Sequence, residues 1–158
     1  MNDEQATGET PVLELTVDAC WAYLRSVDLG RLAVAVAGTP EIFPVNFVVD
    51  HGTIVFRTAA GTKLAAATVW PAVAFEVDGH DAGSGEAWSV VVKGIATELK
   101  GLHELLDADE LPLYPEHASP KHRFVRIVPD AVSGRRFATV PPRFWSSPLR
   151  GARRGSPE

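Results

Sequence analysis

The stretch Phe56-Arg57-Thr58-Ala59-Ala60-Gly61-Thr62-Lys63 is where this sequence comes closest to chemistry. Arg57 and Thr58 fall at the end of an expected strand. A Gly-bearing turn follows, and Thr62 and Lys63 open a short helix expected over 61–69. A helix N-terminus presents unpaired N–H groups and the positive end of its dipole, which suits an anion. Two cations and two hydroxyls converging there would hold a phosphate dianion through charge-assisted hydrogen bonds. The plainer alternative is that Thr62 only caps the helix, while Arg57 and Lys63 are solvated.

Two further segments carry possible contacts. In Pro44-Val45-Asn46-Phe47, a proline sits inside an expected strand, where it supplies no ladder donor. Asn46 shares a face with Ile42 and Val48 by the two-residue period. Its amide can meet the polar edge of a ligand, or the segment can be an edge bulge with Asn46 satisfied by backbone. In Trp88-Ser89-Val90-Val91-Val92-Lys93-Gly94, alternation puts Trp88, Val90 and Val92 on one face and Ser89, Val91 and Lys93 on the other. Trp88 can be core or can cover a ring system. Gly94 permits a bulge or a close backbone approach.

The common catalytic devices do not occur. There is no Gly-x-Ser-x-Gly, no P-loop and no dinucleotide glycine fingerprint after a first strand. His51, His80, His103, His117 and His122 show no paired metal spacing, and Cys20 is the single cysteine, so no metal site is expected and no disulfide framework exists. No residue is assigned as a general acid, base or nucleophile. His51 and His80 read as solvated turn residues, and Cys20 as a small core residue.

The elements that must position these residues follow from periodicity and turn chemistry. Thr16 is the expected N-cap of a helix over Val17–Val27, with Val17, Cys20, Trp21, Leu24 and Val27 as its apolar stripe and Gly30 able to stop it. Strands are expected over 31–37, 41–49, 53–58, 72–78, 87–98 and 123–128, with 133–138 as an extension or a separate short strand. Ala37-Gly38-Thr39-Pro40 and Asp50-His51-Gly52 read as turns, 79–86 as a loop, and 102–111 as a helix. Short connections imply an antiparallel meander. The expected fold is mainly β (α+β), a six-stranded antiparallel split β-barrel with a few short helices. It occupies 13–139, behind a flexible N-terminal segment 1–12 and ahead of a Pro/Arg-rich extension 140–158.

Hydrophobic residues make up 46% of the chain and charged residues 22%, which excludes bulk disorder. Residues 1–134 hold nine cations against nineteen acids, whereas 135–158 hold six arginines against one glutamate. An acidic body argues against nucleic acid, whose binding rests on a basic surface. The N-terminus has no basic and apolar leader pattern, and no apolar run is long enough to cross a bilayer, so a soluble cytoplasmic protein without membrane contact is the expectation.

Taken in order, these segments resemble the pyridoxamine 5'-phosphate oxidase-like, flavin-binding split-barrel family. The resemblance runs from about Asp18 to Phe137. It is carried by the helix Cys20–Ser26, by Gly30-Arg31-Leu32-Ala33-Val34, by Pro44–Asp50, by Val55–Thr58 with Gly61-Thr62-Lys63-Leu64, by Val73–Asp78, by Trp88–Gly94, by Phe124–Ile127 and by Ser133–Arg136. It implies a homodimer with flavin mononucleotide (FMN) in a cleft at the subunit interface. Arg57, Thr58, Thr62 and Lys63 would hold the phosphate, Pro44, Val45, Asn46 and Phe47 would lie along the isoalloxazine ring, and Trp88 and Ser89 would approach the cofactor, from their own subunit or across the interface. The implied activity is hydride or electron transfer to or from a small organic substrate. The family's substrate-phosphate arginine and histidine set is not identifiable near the C-terminus. A deazaflavin coenzyme on the same fold, a non-catalytic flavin or haem module and a ligand-free barrel dimer stand as alternatives.

Overall fold

The computed structural model describes residues 11–59, 69, 71–113 and 122–139. Its elements are β1 (Leu13–Glu14), α1 (Val17–Arg25), β2 (Leu29–Val36), β3 (Thr39–Asp50), β4 (Thr53–Ala59), β5 (Ala72–Asp81), β6 (Glu86–Glu98), α2 (Leu102–Asp109) and β7 (His122–Ala138). The helix expected over 61–69 and the extension 140–158 lie outside the described residues.

Local chemistry sets the boundaries. Thr16 caps α1, its Oγ1 accepting from the Ala19 N–H at 3.2 Å. Cys20 and Leu24, one helical turn apart, are both fully buried. Ala37 and Gly38 take φ of 50° and 82°, and His51 and Gly52 take 46° and 72°. Two-residue loops of this conformation match the right-handed twist of the flanking strands and close the β2–β3 and β3–β4 hairpins.

The sheet order is β1-β7-β4-β3-β2-β5-β6, and an additional β6–β7 pairing closes it into an antiparallel barrel. The closure is incomplete at one seam. β4 pairs with β3 only over Phe47–Asp50, and with β7 only over His122–Ile127. Beyond these ladders no described strand bridges β3 and β7, and α1 fills the gap, packing on β3, β6 and β7. The Cys20 thiol sits over Gly134, where a Cβ would lie 2.8 Å from Sγ. Pro40 and Pro44 lie on the part of β3 that pairs with β2 alone, where a missing ladder donor is tolerated.

β7 is one strand of 17 residues. It carries a register shift opposite Lys93/Gly94: Lys93 faces Ala131, Gly94 faces Pro129, and Asp130 is the extra residue. An inserted residue exchanges the two faces of all that follows. Val125 and Ile127 point into the barrel before it, and Val132 and Gly134 after it. Gly94 makes this possible, because the Val128 carbonyl oxygen occupies the place a Cβ would take.

The barrel interior holds Leu32, Ile54, Phe56, Phe75, Val77, Val90, Val92 and Ile127, all at 0% exposure. A second, smaller core lies outside β4 and β7, where Val55, Phe124 and Leu99 pack with Ala108 of α2 and Leu113.

Three expectations need correction. There are seven strands rather than six, because the two-residue β1 pairs Leu13 with Arg136 and Glu14 with Arg135. Of the two readings of 133–138 the extension holds, since a bulge accommodates Pro129 within one strand. Gly30 does not stop the helix; it lies in β2, where the Phe75 ring occupies the space of its absent Cβ. β5 runs on to Asp81, so His80 is a strand residue, exposed, with its Nε2 3.2 Å from Thr139 Oγ1.

Candidate functional site

Arg57 and Thr58 are neighbours on β4, so their side chains leave opposite faces. Thr58 is 7% exposed, on the side of the barrel interior. Arg57 points outward, onto the second core. Its guanidinium carbon lies 5.1 Å from the ring centroid of Phe124, its cross-strand partner on β7, within the range of a cation–π contact. Its Nη1 donates to the Leu113 carbonyl at the long limit of 3.5 Å. Its Nε is sealed from solvent and has no acceptor among the described residues. A buried donor without a partner costs about 1–3 kcal/mol. An arginine held on an aromatic floor with a donor left over is suited to meet an anion, and this is the point on which the chain fits a phosphate-bearing group.

Asn46 and Arg57 each lie one residue beyond the last β3–β4 pair. The β3–β4 ladder ends at Phe47↔Phe56, and one further step of the same register sets Asn46 opposite Arg57. Alternation then divides the Pro44–Phe47 segment. Val45 and Phe47 are each 4% exposed and belong to the barrel core, while Pro44 and Asn46 face outward. The structure therefore brings Arg57, Asn46 and Pro44 to one outer face, at the place where β3 and β4 part. Thr62 and Lys63 lie outside the described residues.

Trp88 and Ser89 are elsewhere. Trp88 points inward at the end of the barrel, stacked on Tyr23 of α1 with centroids 4.4 Å apart and planes at 28°. Its indole also fills the space above Gly79. Ser89 points outward and pairs with Arg135, eleven residues along β7 from the Phe124 that pairs with Arg57. At ~3.3 Å per residue that is on the order of 35 Å along the strand. Ser89 lines a groove of about 470 Å³ together with Glu14, Ser133 and Arg135. Arg57 and Ser89 thus pair with positions near opposite ends of β7.

Electrostatics at the β3–β4 turn hold the near end in place. Asp50 accepts from Arg126 Nη1 at 2.9 Å and lies 2.8 Å from His51 Nδ1, and Arg126 also donates to Thr53 Oγ1 at 2.6 Å. Burial alone would raise the Asp50 pKa, but the hydrogen bonds from Arg126 and His51 outweigh it and hold the carboxyl below its usual range. On the outer face of β2 and β5, Arg31 pairs with Glu76 and Asp78, each at 3.1 Å.

No cluster of three or more potential metal ligands occurs among the described residues. Nor is any described helix long and apolar enough to cross a membrane. Phe124 and Leu113 are contacts that sequence reasoning missed. Their apolar side chains read as core, and only the β4–β7 register brings them under Arg57.

Comparison with known proteins follows the same outline. A profile of the family described as pyridoxamine 5'-phosphate oxidase matches residues 16–136. An uncharacterized protein of Mycobacterium tuberculosis is 35% identical over 131 residues, covering 80% of this chain and 86% of its own. Among solved structures, the FAD-binding protein from Mycobacterium smegmatis is 41% identical with a TM-score of 0.73, covering 81% of this chain and 100% of its own. An FAD-binding protein from Mesorhizobium loti is 27% identical with a TM-score of 0.68, covering 82% and 98%.

Proposed function

The chain belongs to the pyridoxamine 5'-phosphate oxidase family, and from that premise we propose that it binds a flavin nucleotide and passes hydride or electrons between it and a small organic molecule. The observation that carries the reading is the Arg57 guanidinium, whose buried Nε has no partner among the described residues, with Asn46 just past the same end of the β3–β4 ladder. FAD ranks ahead of FMN, because the M. smegmatis and M. loti relatives are FAD-binding proteins. The deazaflavin coenzyme stands behind both.

In this reading Arg57 meets a phosphate oxygen, with Thr62 and Lys63 completing the phosphate contacts and Thr58 closing the strand end behind them. Pro44 and Asn46 border the ring, the Asn46 amide supplying a donor or acceptor to its polar edge. Val45 and Phe47 support these positions from inside the barrel. When bound, the flavin supplies the redox-active ring, and the protein binds and orients it and tunes its electronics. A pocket partly closed by a second subunit would also keep water from the ring.

A homodimer completes the site. Arg57 and Ser89 lie too far apart for one protomer to bring both to one flavin ring and its adjacent phosphate, so Ser89 would reach the cofactor from the partner. The outer face of β3, β2, β5, β6 and β7 supplies a matching surface. It exposes Ile42 at 68%, Leu29 at 52%, Val128 at 48% and Ile95 at 39%, around the small Ala33 and Ala74. Apolar exposure of this extent on one face of the barrel suits a subunit interface.

The test is a binding titration of the purified protein with FAD, FMN and the deazaflavin coenzyme, repeated with Arg57→Ala. Each charge-assisted contact is worth roughly 1.5–3 kcal/mol, so the variant should bind more than tenfold more weakly. Equal affinity of variant and parent would refute the phosphate role of Arg57. Failure to bind any of the three would refute the cofactor reading itself.

A further inference from the structure

Arg57 is held by the second core, and the manner of holding has a functional content. Phe124 is 5% exposed and packs with Val55, Leu99, Ala108 and Leu113. Its ring is therefore fixed by a strand, a helix and the segment after that helix. It forms a floor 5.1 Å below the guanidinium carbon, while the Leu113 carbonyl restrains one terminal nitrogen from the side at 3.5 Å. A free arginine side chain has among the largest rotamer entropies of any residue. Here most of that freedom is removed before any ligand arrives. The contacts that remove it are an aromatic face and one long hydrogen bond, and among the described residues they leave most of the five N–H donors uncommitted. A purely structural arginine would be expected to spend those donors within the protein.

We propose that Phe124 and the Leu113 carbonyl are positioning groups that preorganise Arg57 for the phosphate of the flavin nucleotide. This rests on the cofactor reading above. Phe124 acts only through Arg57 and touches no ligand itself. Preorganisation raises affinity by lowering the ordering cost of binding, so its effect should be confined to ligands that carry a phosphate.

The experiment measures equilibrium binding of a flavin nucleotide (FAD or FMN, whichever binds more tightly) and of phosphate-free riboflavin. Full-length protein would carry phenylalanine, 4-fluoro-, difluoro- or trifluorophenylalanine at position 124. Fluorination drains negative charge from the ring face with little change of shape, so the packing of the second core is preserved. Nucleotide affinity should fall stepwise across the series, by about five- to tenfold overall, while riboflavin affinity stays within twofold. In an Arg57→Ala background the series should have no effect on either ligand. Phe124→Leu should behave like the most fluorinated member, and Phe124→Tyr, which keeps the ring, should behave like the parent. A flat response of nucleotide affinity across the series overturns the proposal, and so does an equal loss for riboflavin. If Arg57→Ala itself leaves nucleotide affinity unchanged, the phosphate reading of Arg57 fails first, an outcome that the single substitution identifies on its own.

Discussion

Replacing Gly94 with alanine should cost this protein more stability than the same methyl group added to a glycine in open space. The new Cβ would lie 2.2 Å from the Val128 carbonyl oxygen and 2.9 Å from Pro129 Cα, where ordinary contact begins at 3.4 Å. Both obstacles are backbone, so no side chain can swing aside. β6 and β7 must separate by more than 1 Å at the bulge. Overpacking of this kind costs typically ~1–3 kcal/mol, with rigid surroundings at the upper end. Ladder hydrogen bonds weakened on either side add about 1 kcal/mol. Against this, alanine stiffens the unfolded chain and returns ~0.4–1 kcal/mol. The net loss is about 3 kcal/mol, or on the order of 10 °C in Tm for a chain of this length. Gly38→Ala is the matched control. It has φ of +82° and nothing within 4 Å, so only the left-handed backbone penalty of about 1–2 kcal/mol applies, less the same unfolded-state gain. Urea unfolding of the parent and both variants decides the matter. A Gly94→Ala loss below about 1 kcal/mol, or below that of Gly38→Ala, would refute the close approach of β6 and β7 at the bulge.

Other perturbations probe other parts. Thr16→Ala should lose about 1 kcal/mol in urea unfolding, because the Ala19 N–H loses its acceptor. Asp50 has a lowered folded pKa, so its contribution is present above the unfolded value and drains away as pH falls through the folded one. Asp50→Asn should therefore destabilise at neutral pH and flatten the acid limb of the stability curve. An acid limb unchanged from the parent would remove the Arg126 contact from the account. Ile42→Asp, placed on the exposed apolar face, should halve the sedimenting mass and weaken flavin binding together. A variant that stays dimeric, or a monomer with full affinity, would separate the interface from the site. Trp88→Phe should lower Tm by a few degrees through loss of the Tyr23 stack while leaving flavin affinity within about twofold.

Legibility in the sequence followed the range of the interactions. The N-cap at Thr16, the Asp50-His51-Gly52 turn and the buried role of Cys20 depend on neighbours a few residues away, and all three read correctly. Gly30 read as a helix stop because its real reason, the Phe75 ring, lies on a strand brought beside it only by folding. The single long β7 was obscured by Pro129, which signals a break until the bulge opposite Gly94 is visible. At the candidate site, alternation alone separates Arg57 from Thr58 and Asn46 from Val45. The floor beneath Arg57 could not be read at all, since Phe124 lies 67 positions downstream and meets Arg57 only through the β4–β7 register.

That register also dictates an order of events. β7 closes the barrel by pairing with β4, β6 and β1, and its partners on β4 and β1 are among the earliest parts of the chain. These are the most non-local contacts in the fold, and such contacts govern slow folding because the intervening loop must first be closed. During synthesis the β2–β3–β4 meander leaves the ribosome long before its last partner. Until His122–Ala138 arrives, the outward edge of β4 stays unpaired and the floor for Arg57 does not exist. Closure of the barrel and the setting of Arg57 are therefore completed by the same strand, so a chain cut short before Phe124 has neither.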